Sequence, residues 1–389
     1  MQKKINYGRQ DLNEEDINAV ISVLRSDWLT QGPVVPQFEK TIAAYCGAEF
    51  GVATNSATSA LHIACLALGV GKDDIVWTSA NTFVASSNCA LYCGASVDFV
   101  DIDPDTYNLS IEALSDKLVN AEKLGKLPKV VIPVHLNGQS CDMEEISALS
   151  RKYGFKIIED ASHAIGGKYK NKHVGNGLFS DITVFSFHPV KIITTGEGGM
   201  AVTNSESLAR RLTLFRSHGI TSFESEMDIR PLNEIWNYQQ IELGFNYRMT
   251  DIQAALGLSQ IKRLDEFVAR RHTIAKRYDD ELKNLPLIIP FQSPNTYSSY
   301  HLYPIRLLLK KIPISQREMH DKMQNLGINV NLHYIPVYRQ PYYERLGFKK
   351  GYCPGAEKYH EDALSIPMYP SLEDKQQTKV IRIIKELLG

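Results

Sequence analysis

The chain has 389 residues, 43% hydrophobic and 22% charged, which suits a globular protein with one large and one smaller domain. With 43 Lys+Arg against 44 Asp+Glu, the formal charge of -1 leaves no basic field for nucleic acid or an anionic membrane, so an anionic ligand must be met by a local site. The start, MQKKINYGRQ, has no apolar run after its lysines, and ALHIACLALGV, the longest such run, is too short to span a bilayer; a cytoplasmic protein is expected.

From about residue 50 to about 215, strand-like and helix-like runs alternate. FGVATN leads into the helical SALHIACLALG, DIVWTS into FVASSNCALYCG, and SVDFVDID into SIEALSDKLVNAEKLG. KVVIPVHLNG, EEISALSRKYG and KIIED follow, then the apolar VFSFHPV and GGMAVT, and a helix through LARRLTLFRSHG. Near-continuous apolar strands separated by amphipathic helices predict a mostly parallel sheet covered on both faces, with ligands beyond the carboxyl ends of its strands. Residues 220–250 form an irregular polar stretch, long for a plain connection and therefore expected to carry function or an interface. DIQAALGLSQIKRLDEFVARRHTIAKRYDDELKNL reads as one long helix, and the rest, with YHLYPIRLLL as a strand and ISQREMHDKMQNLG as a helix, as a smaller α+β domain. The expected division is 1–260 and 261–389.

Lys191 stands between two apolar runs, where an ordinary lysine snorkels to water. A lysine pointing into a crevice instead has its amine freed by desolvation and can serve as a Schiff-base lysine. Asp160 ends KIIED; it can cap the turn at ASHA, or hold a pyridinium nitrogen protonated so that the ring becomes an electron sink. In NSATSALH a strand passes into a helix, so the N–H groups of Ala57, Thr58 and Ser59 can meet an anion, although a plain Ser cap reads the same way. Phe83 fits core or a stacking platform for a flat cofactor. Ser186 alternates with Phe185 and Phe187, so it points away from them and can donate to a phosphate. Cys89 and Cys93 share a helix face, but no second pair or nearby His completes a metal site; the six cysteines read as core thiols in a reducing compartment, and no metal is expected.

NSATSALH, NTFVASSNCALYCGASVDFVDID, VHLNGQ, IIEDASHAIG, FSFHPVKIITTGEGGM and GFNYRMTDIQAALGLSQ occur in this order over nearly the whole chain. Together they resemble the sugar aminotransferases related to DegT, DnrJ, EryC1 and StrS. The resemblance implies a fold-type-I enzyme that uses pyridoxal 5′-phosphate as a homodimer on a nucleotide-linked keto sugar, with L-glutamate as amino donor. It makes Lys191 the imine-forming lysine and Asp160 the partner of the pyridine nitrogen. His163 would lie beside the ring and Phe83 stack on it. Ala57, Thr58 and Ser186 would contact the phosphate, and Asn246 would reach it from the other subunit. Tyr7, the run Asp27, Trp28, Leu29 and Thr30, and the run His333, Tyr334, Ile335 and Pro336 would contact the sugar nucleotide, the first thirty or so residues acting as an arm. Within the family, FSFHPVK, FRSHGI and HYIPVYRQPYY resemble the branch that aminates C4 of a UDP-linked 4-keto-6-deoxy N-acetylhexosamine in pseudaminic acid biosynthesis. Perosamine-type and dTDP-sugar aminotransferases share most of the motifs. A sugar dehydratase of the same fold would carry histidine in the place of Lys191, and a non-catalytic nucleotide-sugar-binding protein is a further alternative.

Overall fold

The computed structural model describes residues 4–229 and 238–389, so part of the irregular stretch at 220–250 lies outside the described residues. Seven strands form the central sheet: β1 (Phe50–Thr54), β2 (Ile75–Ser79), β3 (Ser96–Val100), β4 (Val130–Ile132), β5 (Lys156–Asp160), β6 (Ile182–Ser186) and β7 (Gly199–Thr203). Their order is β1-β7-β6-β5-β4-β2-β3. All neighbours from β6 to β3 pair in parallel, while β7 runs antiparallel to both β1 and β6, giving the mostly parallel sheet that the apolar runs predict. Six strands therefore end on the same edge.

Consecutive residues of each strand feed opposite faces, as a period of two requires. Val130, Ile158 and Val184 join one core with α3 (Ala57–Ala67), α4 (Ala85–Tyr92) and α7 (Glu206–Arg216). Val131 and Ile157 join a core on the other face with α5 (Ile111–Lys123) and α6 (Met143–Tyr153). On that same second face Phe185, Phe187 and Met200 pack with α2 (Val34–Cys46) and α8 (Asp251–Gln260). Both faces are buried, which is why these strands read as unbroken hydrophobic runs.

The single long helix expected at 251–285 is two: α8 ends at Gln260, a 3₁₀ turn covers Ile261–Arg263, and α9 runs Leu264–Leu282. The break is where the N-terminal segment clamps on. Arg263 pairs with Asp11 at 2.8 Å and with Asp16 at 2.6 Å, and Gln260 donates to Asp16 at 2.7 Å. α1 (Glu14–Leu24), closed by an Asn13–Asp16 capping box, lies in this clamp. Ile5 bridges to Ile328 and is 4% exposed, so the N-terminal segment is stitched to the body on both sides of Tyr7, at Ile5 and at Asp11 and Asp16.

Nor does the chain change cores at residue 260. Leu264, Phe267 and Val268 of α9 remain in the core of the large sheet, and only from Ile274 onward does the helix enter a second one. There it packs with β8 (Leu287–Ile288), β9 (Tyr303–Leu307), β10 (Ala363–Ile366), α10 (Gln316–Asn325) and α11 (Asp374–Leu388). Residues 337–363 return to the first core through Tyr338, Tyr343 and Tyr359. Among the described residues no helix is long and apolar enough to cross a membrane.

Candidate active site

A cavity of roughly 990 Å³ opens at the shared carboxyl edge of the strands. Asp160 is the last residue of β5 and Ser186 the last of β6, so strand direction alone brings both to its floor. α3 begins just beyond β1 with Ser56 as its cap, the Ser56 hydroxyl accepting the N–H of Ser59 at 3.1 Å. Ser59 is thus not free for an anion. The N–H groups of Ala57 and Thr58, in the first helical turn, have no acceptor among the described residues and face the cavity. Gly199 of β7 lets α3 come this close: a Cβ there would lie 2.5 Å from the Ala57 nitrogen.

Asp160 is 4% exposed, and both its oxygens are held. Oδ1 accepts the N–H of Ser162 at 3.1 Å, the turn cap read from the sequence, while Oδ2 accepts the Ser86 hydroxyl of α4 at 2.6 Å. Lys191 lies five residues past β6, in the turn leading to β7 rather than at a strand end. Its N–H donates to His188 O at 2.9 Å. Ile192 and Ile193 anchor that turn in the core, which leaves Lys191 facing the cavity. Burial lowers its ammonium to about 8, against a weaker pull upward from the Asp160 carboxylate. Amine and carboxylate therefore sense each other across one cavity.

His163 and Phe83 complete the walls. His163 Nδ1 accepts the Asn137 N–H at 3.3 Å, which puts the ring proton on Nε2, 3.2 Å from the Tyr334 hydroxyl. Burial holds His163 well below the ordinary imidazole range, helped by Lys191 and His333, and His333 is itself pushed down to about 3. Both rings are neutral near pH 7. Tyr334 is pushed upward by burial and by Asp160, so it keeps its proton. Phe83 is 56% exposed and lines the cavity, a poor use of a core phenylalanine.

Tyr7, His333 and Ile335 also line the cavity. Several residues expected at the site do not. Asp27, Trp28, Leu29 and Thr30 are exposed, and Asn246 is exposed beside Ser217, with which it forms a bridge. Thr30 bridges to Thr250, which puts the run 27–30 on the same surface as Asn246. Pro336 is buried at the entry to the 3₁₀ turn Val337–Arg339. Reading the sequence missed Ser86, Ser162, Asn137 and His301. Of these, only Ser86 leaves a signal in the sequence: with Thr82 it sets two hydroxyls four residues apart on either side of Phe83, where a strand passes into a helix.

The donor set fits pyridoxal 5′-phosphate. Two free helix N–H groups and the Ser186 hydroxyl, which has no partner among the described residues, suit a phosphate; a fixed carboxylate suits a pyridine nitrogen; and an amine lowered toward neutrality suits an aldehyde.

Comparison with known proteins agrees. Residues 10–385 match the DegT/DnrJ/EryC1/StrS aminotransferase family. The chain is 37% identical to the spore coat polysaccharide biosynthesis protein SpsC of Bacillus subtilis, over 98% of this chain and 96% of that protein. It is 38% identical to the UDP-4-amino-4,6-dideoxy-N-acetyl-beta-L-altrosamine transaminase of Campylobacter jejuni, over 95% and 94%. The solved structure of Helicobacter pylori PseC, an aminotransferase involved in the biosynthesis of pseudoaminic acid, superposes with a TM-score of 0.89 at 30% identity, covering 99% of each chain. Aminotransferases of this family use pyridoxal 5′-phosphate, and solved relatives hold its PLP and PMP forms.

Proposed function

The chain belongs to the DegT/DnrJ/EryC1/StrS aminotransferase family, and from that premise we propose that it moves the amino group of L-glutamate to C4 of a UDP-linked 4-keto-6-deoxy N-acetylhexosamine, as in pseudaminic acid biosynthesis. It is a pyridoxal-phosphate-dependent sugar aminotransferase; the choice of sugar rests on likeness to the transaminase of C. jejuni and to PseC. One observation carries the chemistry: Lys191 and Asp160 face the same cavity, close enough for the carboxylate to act on the ammonium.

Bound there, the cofactor supplies an electron-withdrawing ring that acidifies the proton on the carbon bearing the transferred nitrogen. The N–H groups of Ala57 and Thr58 and the Ser186 hydroxyl would hold the phosphate. Asp160 would meet the ring nitrogen, and Phe83 would offer a flat face for stacking. His163, neutral and fixed by Asn137, would lie beside the ring without adding a positive charge to repel a protonated ring nitrogen. Lys191 Nζ, facing the cavity with its amine lowered toward neutrality, would take up the proton from the amino-bearing carbon of glutamate and hold it for return on the same side, and would do the reverse for the keto sugar.

Tyr7, His333, Tyr334 and Ile335 contact the sugar nucleotide from within the chain. Asn246, Asp27, Trp28, Leu29 and Thr30 lie outside their own cavity on one surface, and we assign them to the site of a second copy in a homodimer. Pro336 shapes the loop behind Ile335 rather than touching substrate. Six unbridged thiols suit the reducing cytoplasm.

The test is a panel of UDP-, GDP- and dTDP-linked 4-keto sugars with glutamate, read as 2-oxoglutarate formed. Conversion of the UDP-linked N-acetyl sugar with parallel-line, ping-pong initial rates is expected. SpsC is about as similar as the C. jejuni enzyme, so turnover confined to a GDP or dTDP sugar would move the chain to another branch of the family. A required ternary complex would overturn the mechanism itself.

A further inference from the structure

We propose that Ser86, itself oriented by Thr82, is a positioning residue that fixes the Asp160 carboxylate for the cofactor's ring nitrogen. The inference rests on the reading of Asp160 given above. The Ser86 oxygen has three polar neighbours: Asp160 Oδ2 at 2.6 Å, the Thr82 hydroxyl at 2.8 Å and Phe83 O at 3.3 Å. A hydroxyl has one proton to give. An ionised carboxylate has none, and it is both the nearest and the strongest acceptor, so Ser86 donates to Asp160. Thr82 must then be the donor to Ser86. The result is a directed chain, Thr82 to Ser86 to Asp160, entering the carboxylate from α4.

Water does not compete with this chain: Ser86 is fully buried and Thr82 is 2% exposed. With Ser162 on Oδ1, the two oxygens are tied to two different elements, which fixes the carboxyl plane while leaving lone pairs toward the cavity that Asp160 lines. The neighbouring Ser87 shows what a merely structural serine does on this helix. It is equally buried, but its hydroxyl meets the Tyr343 hydroxyl at 2.5 Å, away from the site. Phe83 lies between the two relay residues, so one helical start serves both the flat face of the ring and, through Asp160, its edge.

The experiment titrates the full-length protein, freed of cofactor, with pyridoxal 5′-phosphate and with its 1-deaza analogue, in which a carbon replaces the ring nitrogen. Ser86→Ala should weaken pyridoxal phosphate binding about 10-fold, as loss of a hydrogen bond to a charged group implies, and leave the deaza analogue within about 2-fold. Ser86→Thr should restore the preference, and Ser87→Ala should not alter it. Thr82→Val keeps Ser86 and should give the same selective loss at about 3-fold, which carries the test if Ser86→Ala fails to fold. Equal losses for both ligands, or none, would overturn the proposal. If the unaltered protein did not distinguish the two ligands, the reading of Asp160 would fall instead.

Discussion

The amine of Lys191 offers a prediction that can be worked through in numbers. Burial lowers it from 10.5 to about 8, a preference for the neutral form of about 3 kcal/mol. At pH 7 an ordinary lysine is unprotonated in about three molecules per ten thousand, and Lys191 in about one in ten, a gain of ~300-fold in reactive amine. Stopped-flow mixing of cofactor-free protein with pyridoxal phosphate reads this directly, because only the neutral amine attacks the aldehyde. The rate constant should climb nearly tenfold per unit below pH 8 and level off above it. In Asp160→Asn the negative charge that raises the ammonium is gone, so the midpoint should move below that of the unaltered protein. A rate still climbing at pH 10, or a midpoint displaced upward by that substitution, would refute the assignment of Lys191 as a desolvated nucleophile beside a carboxylate.

Two further perturbations test the site. Lys191→Ala and Asn246→Ala should each be inactive alone, yet mixed under conditions that exchange subunits they should recover about a quarter of the activity, because half of the dimers are hybrids with one intact site. No recovery would place Asn246 in its own chain's site. Gly199→Ala drives a methyl to 2.5 Å from the Ala57 nitrogen and from the Ser56 carbonyl, so α3 must shift; cofactor affinity, followed by fluorescence titration, should fall at least ~10-fold.

Much of this was legible from the strand ends. Asp160 and Ser186 are terminal residues of parallel strands, and the parallel pattern is written in runs such as KVVIPV and VFSF, so their convergence on one edge follows from the sequence. Other features came from contacts far apart in the chain. The Ser86–Asp160 bond joins residues 74 apart, and the Asn137 N–H that fixes His163 comes from a residue held at φ 61, neither of which leaves a local pattern. The break between α8 and α9 escaped for the same reason: the partners that clamp Arg263 are Asp11 and Asp16, about 250 residues upstream, and the apolar spacing runs on through the joint. The run 27–30 is exposed, with Trp28 at 56%, and among the described residues nothing draws it into the cavity, so its place at a site rests on the proposed second copy.

The route of the last third of the chain limits what can be exchanged among relatives. A graft made at residue 261 would carry away Tyr338, Tyr343 and Tyr359, the aromatic lid over one face of the seven-stranded sheet, along with the first turns of α9 that seal the opposite face. The remaining piece would present bare hydrophobic surface on both sides and precipitate. Recombination that preserves a soluble product must therefore take residues 337–363 and the start of α9 together with the seven-stranded sheet, and leave only the peripheral three-stranded layer to vary.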